Sequence, residues 1–252
     1  MKTKTGENIL RFIKSKSSAT PKEITKFIGF GSPAVFRQLK KLQNKKLIYK
    51  TGKPPKVFYY LAMDKNKQMV QNVFNWNASP AKEIPETREY SQTRDVFQAR
   101  HNKLAKELER ETGNTTLAYL LSAAVGEIGN NSFDHNFGNW PDIPGVYCEI
   151  NLKEKIICLA DRGNGVFYTI GRVRPEINDD VGALRVAFTE IVSGRPKENR
   201  GNGLKFVRRV IGECKLKLKF YSGNALCAID EAKIEFKLSD TKVRGTIAII
   251  NF

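Results

Sequence analysis

The sequence predicts an α/β protein in two parts: a small basic unit of three short helices and a β-hairpin, then a larger unit of helices and strands. Three observations carry this. The length of 252 residues has room for one large domain or two small ones. Charge is divided unevenly: residues 1–64 hold 15 Lys and Arg against 3 Asp and Glu, so +12 of the net +17 lies in the first quarter. Apolar residues at helical spacing dominate before residue 136, and strand-like apolar runs begin at Gly145.

The hydrophobic fraction of 40% and the charged fraction of 27% are ordinary for a soluble globular protein. A net charge of +17 and a pI near 9.7 favour a polyanionic partner: nucleic acid, an anionic membrane surface or nucleotide phosphates. No stretch approaches the roughly 20 apolar residues that cross a bilayer, and the N-terminus lacks the apolar core of a secretory signal. Cys148, Cys158, Cys214 and Cys227 form no C-x-x-C pair, so reduced buried thiols in a cytoplasmic protein are expected rather than disulfides or zinc.

In the first unit, residues 1–65, Ile9, Leu10 and Ile13 stand at helical spacing. Thr20-Pro-Lys-Glu23 reads as a capped helix start, with Thr as N-cap, Pro at N1 and Glu at N3, and the helix stops at Gly29. A second start at Ser32-Pro33 leads a helix with Val35, Leu39 and Leu42 on one face and Arg37, Lys40 and Lys41 on the other. Two short strands, 47–50 and 57–61, bracket the basic tip Thr51-Gly-Lys-Pro-Pro-Lys56. This order, with its Ser-Pro-x-Val-x-Arg-x-Leu-x-x-Leu pattern, resembles the winged helix-turn-helix family. The resemblance implies double-stranded DNA as partner, with Arg37, Gln38 and Lys41 toward the major groove and the wing lysines Lys53 and Lys56 on phosphates. The competing reading is a solvated basic surface that docks protein.

Residues 66–90 lose periodicity and read as a linker with one short helical piece around Val70 to Phe74. Ser91 to Thr112 reads as a charged amphipathic helix with Phe97, Leu104 and Leu108 on its apolar side. His101 on this helix lacks the acidic neighbour and downstream proline of a phospho-accepting histidine, and is expected to be ordinary.

The next helix, opening at Leu117, carries Leu117, Leu121 and Ile128 on one stripe. Beside that stripe stand Glu127 and Asn131, one turn apart, with Asp134 on the same flank. A carboxylate and an amide at the edge of a buried face suit a cleft wall. The amide oxygen can coordinate Mg²⁺ and the carboxylate can orient or deprotonate a water. Strands follow at 145–152 and 155–160, the second running into Asp161-Arg-Gly163-Asn-Gly165. A helix over 181–192 precedes the charged stretch Ser193-Gly-Arg-Pro-Lys197-Glu-Asn-Arg200, and Gly201-Asn-Gly203-Leu204 opens another helix, whose free amides can hold phosphate. Three closing strands are expected at 216–221, 225–229 and 245–252.

The succession Glu127-x-x-x-Asn131, Asp161-x-Gly163-x-Gly165, Gly201-x-Gly203-Leu204 and Gly245-Thr246, with a charged lid between the second and third, resembles the GHKL ATP-binding superfamily of gyrase, MutL, histidine kinases and anti-sigma-factor serine kinases. The resemblance covers residues 91–252 and implies a two-layer α/β sandwich, a mixed sheet covered on one face by helices. It also implies ATP and Mg²⁺ as cofactors. Asn131 would ligate Mg²⁺ and Glu127 would be the general base. Asp161 would accept from the adenine amino group, with Thr246 supporting it through water, and Gly163 and Gly165 would leave room for the base. Gly201, Gly203 and Leu204 would offer amides to the phosphates. Lys197 and Arg200 could neutralise the γ-phosphate on local charge alone. Asp134, His135 and Asn130 are expected to be structural.

Together the two resemblances imply an ATP-regulated, DNA-binding transcriptional regulator. Lid closure on ATP would then alter dimerisation or contacts with a protein partner, and so the DNA unit. The alternatives are a protein kinase of the anti-sigma-factor type, phosphorylating a separate protein, or a slow ATPase acting as a conformational switch.

Overall fold

The computed structural model describes residues 3–62, 65–80, 84, 88–191, 203–231 and 233–252. They divide into two compact units, Met1–Lys67 and Gln68–Phe252. Among the described residues no helix is long and apolar enough to cross a membrane.

The first unit comprises helices α1 (Thr3–Lys16), α2 (Pro21–Ile28) and α3 (Ser32–Asn44), then strands β1 (Ile48–Thr51) and β2 (Phe58–Leu61). Its core gathers Ile9, Ile13, Ile24, Val35, Leu39 and Ile48, one apolar stripe from each helix closed by the hairpin. The start of α2 is a reciprocal capping box: Glu23 N donates to Thr20 Oγ1 (3.3 Å), and Thr20 N donates to the Glu23 carboxylate (2.8 Å). Such a cap contributes about 1 kcal/mol. Donation from Thr20 N, Thr20 Oγ1 and Lys16 Nζ holds the Glu23 carboxyl down at about 2. The helix ends at Gly29, whose φ of 72° is the left-handed conformation that a glycine adopts without strain. Ala19 and Tyr59 exchange backbone hydrogen bonds (3.0 and 2.8 Å), so the chain before α2 adds a third short pairing to the hairpin.

The second unit is mixed α/β. It begins in α4 (Lys65–Ala78) and continues through β3 (Tyr90–Ser91), α5 (Arg94–His101), α6 (Leu104–Thr112), α7 (Thr115–Asn136), β4 (Val146–Asn151) and β5 (Ile156–Asp161). Then come α8 (Gly165–Gly171), α9 (Asp180–Thr189), α10 (Gly203–Glu213), β6 (Lys217–Asp230) and β7 (Lys233–Asn251). The five strands form one sheet in the order β3-β4-β5-β7-β6, antiparallel throughout.

That arrangement corrects three expectations. The sheet is not mixed: β5 and β6 run the same way, but the C-terminal strand β7 inserts between them and pairs antiparallel with both. Helices cover both faces rather than one. Phe97, Leu121, Ile128, Leu184 and Val207 pack on one side, and Met69, Val73 and Trp76 of α4 pack on the other against Tyr147, Cys158 and Ile249. The segment read as a linker is therefore in large part structural, because α4 presents three apolar side chains that the sheet buries. Covered twice, β5 is buried at all six positions, which is why its sequence is apolar from Ile156 to Ala160, up to the buried Asp161.

Smaller differences follow from local chemistry. The helix expected over 91–112 breaks at Asn102-Lys103 into α5 and α6, and Thr93 caps α5 (Val96 N to Thr93 Oγ1, 3.4 Å). The expected strands 216–221 and 225–229 are one strand, bent by a register shift at Gly223.

Helix α7 carries glycines at positions 126 and 129 because α5 lies directly against them. A Cβ at Gly126 would meet the His101 ring, and one at Gly129 would fall well inside 3.0 Å of the Phe97 ring. His101 is thus a packing residue, its Nε2 bonded to Ser122 O (2.6 Å). In an open helix Gly→Ala stabilises by about 1 kcal/mol. Gly129→Ala is instead expected to destabilise by about 1–3 kcal/mol through overpacking, read as a lower urea midpoint; a raised midpoint would contradict the close approach.

Candidate functional site

The most constrained polar cluster lies where β5 ends. Asp161 is only 2% exposed, yet its carboxylate is fully engaged on the α7 side of the sheet. Oδ1 accepts from Gly163 N (2.8 Å), and Oδ2 accepts from Ser132 Oγ (2.9 Å) and Thr246 Oγ1 (2.6 Å). Burial raises its pKa above the ordinary carboxylate value, while donors from Thr246, Gly163 and Ser132 oppose that rise. These donors are neutral, so the carboxylate is oriented without being neutralised. The two hydroxyls are rotors, and either can turn its proton away and release an acceptor position.

Three glycines surround this carboxylate, each for a stated reason. A Cβ at Gly245, where φ is +52°, would strike Asp161 Oδ1 and Gly163 N. One at Gly163 would strike the buried amide of Asn136, and one at Gly165 (φ +77°) would meet Ser222 Oγ. Asn136 Oδ1 accepts from Asn164 N (2.8 Å), and Ser222 Oγ accepts from Val166 N (2.9 Å) and donates to Gly245 O (3.0 Å). The glycines at 163 and 165 therefore let the loop close on its own scaffold. Thr246 bonds Asp161 directly, whereas a water-mediated role was the expectation.

Glu127 and Asn131 stand half-buried on α7, with Ser132 beside them reaching Asp161. Burial, then repulsion from Asp134, raises the Glu127 pKa, and a hydrogen bond from Asn131 works against both. The Glu127 carboxylate lies against the first residue of α10: a Cβ at Gly203 would overlap Glu127 Oε1. A carboxylate at a helix N-terminus is favourably placed in the helix dipole, so a loaded anion there would compete with Glu127. Leu204, next in α10, packs partly buried against the core. The structure thus brings Asp161, Gly163, Gly165 and Thr246 together, and Glu127 to Asn131 and Gly203. Lys197, Arg200 and Gly201 lie outside the described residues.

Neighbouring polar residues have structural duties. Asp134 pairs with Arg94 of α5, and Asn130 Oδ1 accepts from Gln98 Nε2 (2.6 Å). The residues that sequence reasoning missed are Ser132, Asn136 and Ser222, and on the opposite face Asn77 and Arg162. Asn77 Nδ2 donates to Asp161 O (3.1 Å) and Arg244 O (2.7 Å), and its Oδ1 accepts from Arg244 N (2.9 Å). It thereby bridges β5 and β7 just past their last pairing, Ala160 with Ile247. Arg162, fully buried, pairs with Asp142 and donates to Ser79 O (2.9 Å). No local pattern announces any of these; their partners are 20 to 167 positions away in the chain, apart from the contacts of Ser132 with Ile128 and Asn136 within α7.

Two depressions of about 380 and 440 Å³ open in the second unit, one beside Phe74 and Val243 and one beside Lys205 and Arg208. Neither is lined by Asp161 or Asn131. The buried acceptor with its glycine surround is the stronger candidate because its geometry is fixed by the fold rather than by surface side chains.

In the first unit, Arg37, Lys41, Lys53 and Lys56 are exposed and Gln38 is half-buried. Arg37 Nε donates to Pro33 O (3.4 Å), which folds its side chain back along α3.

The chain matches no protein-family model, no curated protein and no solved structure.

Proposed function

We propose that the second unit is a nucleotide-binding domain of the GHKL type. The observation that carries this is the buried, oriented and un-neutralised carboxylate of Asp161 within its glycine surround. The Ser132 and Thr246 hydroxyls that donate to it can turn their protons away and free an acceptor position, and the exocyclic amine of adenine is a donor of the right kind. Asn131 offers a hard amide oxygen on α7 that suits Mg²⁺ beside phosphates, and Glu127 stands one turn before it. When bound, the ion would screen the phosphate charge. Burial raises the Glu127 pKa, which strengthens its carboxylate as a base toward water.

The chain as a whole is then an ATP-responsive regulator of double-stranded DNA, its first unit a winged helix-turn-helix. The support for DNA is the exposed cationic side of α3, without an acidic residue, together with the exposed wing lysines Lys53 and Lys56.

Glu127→Ala is expected to bind ATP while losing turnover by about a hundredfold or more. Label from the γ-phosphate appearing as free phosphate means hydrolysis, and label on a protein means phosphoryl transfer. Unchanged consumption in the variant would remove Glu127 from the role of base. Coupling of the two units is tested by duplex binding at one fixed salt concentration, with and without ATP and Mg²⁺. A shift in affinity or cooperativity is expected, and its absence would overturn the coupling.

A further inference from the structure

Helix α3 carries one side chain that its amphipathic pattern does not explain. Val35, Leu39 and Leu42 fill the core, and the opposite side carries Arg37, Lys40 and Lys41. Yet Phe36, between those sets, is 49% exposed. About half of the phenyl side chain stays in contact with water, leaving apolar surface beside cationic side chains that a partner can cover.

We propose that Phe36 reads a thymine 5-methyl group in the major groove; this rests on the DNA-binding reading of the first unit. Three features point to duplex DNA as the occupant. The rim around the ring is cationic, and α3 contains no acidic residue, so the surface complements a polyanion. Phe36 sits in the N-terminal half of α3, the part of such a helix that reaches base edges. The polar neighbours are poorly free to do so: Arg37 is tied back to Pro33 O and Gln38 is half-buried. Phe36 is thereby the large exposed aromatic side chain in that half. Among the base-edge groups of the major groove, the thymine methyl is the apolar one, and a phenyl ring is a suitable contact for it. Phosphate contacts from Lys40, Lys41 and the wing would supply affinity without sequence preference.

The test begins by selecting preferred duplexes from a random library with the full-length chain. Each thymine in the selected site is then replaced singly by deoxyuridine, which deletes only the methyl group. Affinities are measured at one salt concentration for the wild type, Phe36→Ala and Phe36→Leu. At one thymine the replacement is expected to weaken wild-type binding about fourfold, the worth of one buried methyl, and to leave Phe36→Ala unaffected. Phe36→Leu is expected to fall between. Helical circular dichroism and sedimentation accompany each variant, so that loss of fold or of self-association is not read as loss of a base contact. Equal uridine penalties in the wild type and Phe36→Ala at every thymine would overturn this inference while leaving DNA binding standing. A wild-type dimer dissociated by Phe36→Ala would overturn it in favour of a protein interface. Retention of no duplex would overturn the DNA-binding reading and this inference with it.

Discussion

Asp161→Asn is expected to weaken adenine-nucleotide binding at least a hundredfold while leaving the fold as stable as the wild type, or more so. The two halves of this result share one cause. The carboxylate is buried among a backbone N–H and two hydroxyls, and burial raises its pKa above the ordinary value of 3.8. Because the folded-state value exceeds the unfolded one, the protonated form favours the fold. That contribution is complete below the unfolded pKa and is lost as pH rises through the folded one. Asparagine keeps the shape without the charge, and the Ser132 and Thr246 hydroxyls can rotate to accept from its amide. The stability gap between variant and wild type is therefore expected to be small in acid and to widen, in favour of the variant, toward neutral pH. Binding moves the other way, because half of the amide now presents a donor where the adenine amine requires an acceptor. Thermal melts across pH, with and without ATP, check both. A variant less stable at neutral pH than in acid, relative to the wild type, would contradict the assignment of a destabilising buried charge.

Arg162→Met carries the second large effect, on stability. The guanidinium is fully buried, pairs with Asp142, donates to Ser79 O and Oγ (2.9 and 3.2 Å), and stacks over Trp76 at 5.7 Å. It therefore fastens the C-terminal end of α4 to the end of β5. Removing one member of a buried pair costs about 3–5 kcal/mol. Arg244, which also reaches Asp142 (2.8 Å) and Ser79 O (3.1 Å), keeps the expected loss near the lower bound. Urea unfolding reads the loss, and faster amide exchange at Val73 and Trp76 localises it. The double variant Arg162→Met with Asp142→Leu is expected to recover most of it, since apolar replacement of a whole buried pair is often neutral. A single-variant loss below about 1 kcal/mol would place α4 elsewhere in the energetics.

What could be read in the sequence was what local chemistry determines. The Thr20–Glu23 box and the stop at Gly29 each carry their cause within a few residues, and the apolar run Ile156–Ala160 of β5 marks a buried strand. The loop at Asp161 was legible as an acid followed by spaced glycines, although the glycines prove to serve loop closure on Asn136 and Ser222. The antiparallel pairing of the sheet was not legible, because it depends on the C-terminal strand β7 lying between β5 and β6. Helix α4 was masked by its Asn and Gln content, even though Met69, Val73 and Trp76 recur at helical spacing. The outer part of β7 shows Ile234, Phe236 and Leu238 alternating with Lys233, Glu235 and Lys237, and its apolar face is partly buried, Ile234 and Phe236 packing against the core while Leu238 is exposed. Asn77 and Arg162 are polar residues buried only because distant partners meet them, and nothing nearby signals that.

The account turns on Asp161 accepting a hydrogen bond from an amine. Calorimetric titration of the intact chain with the Mg²⁺ complexes of ATP and inosine triphosphate tests it most directly, since the two differ in whether position 6 of the base donates or accepts. ATP is expected to bind saturably with one site per chain, and the inosine nucleotide at least a hundredfold more weakly. Equal affinity for the two, or no heat and no saturation with either, would contradict it.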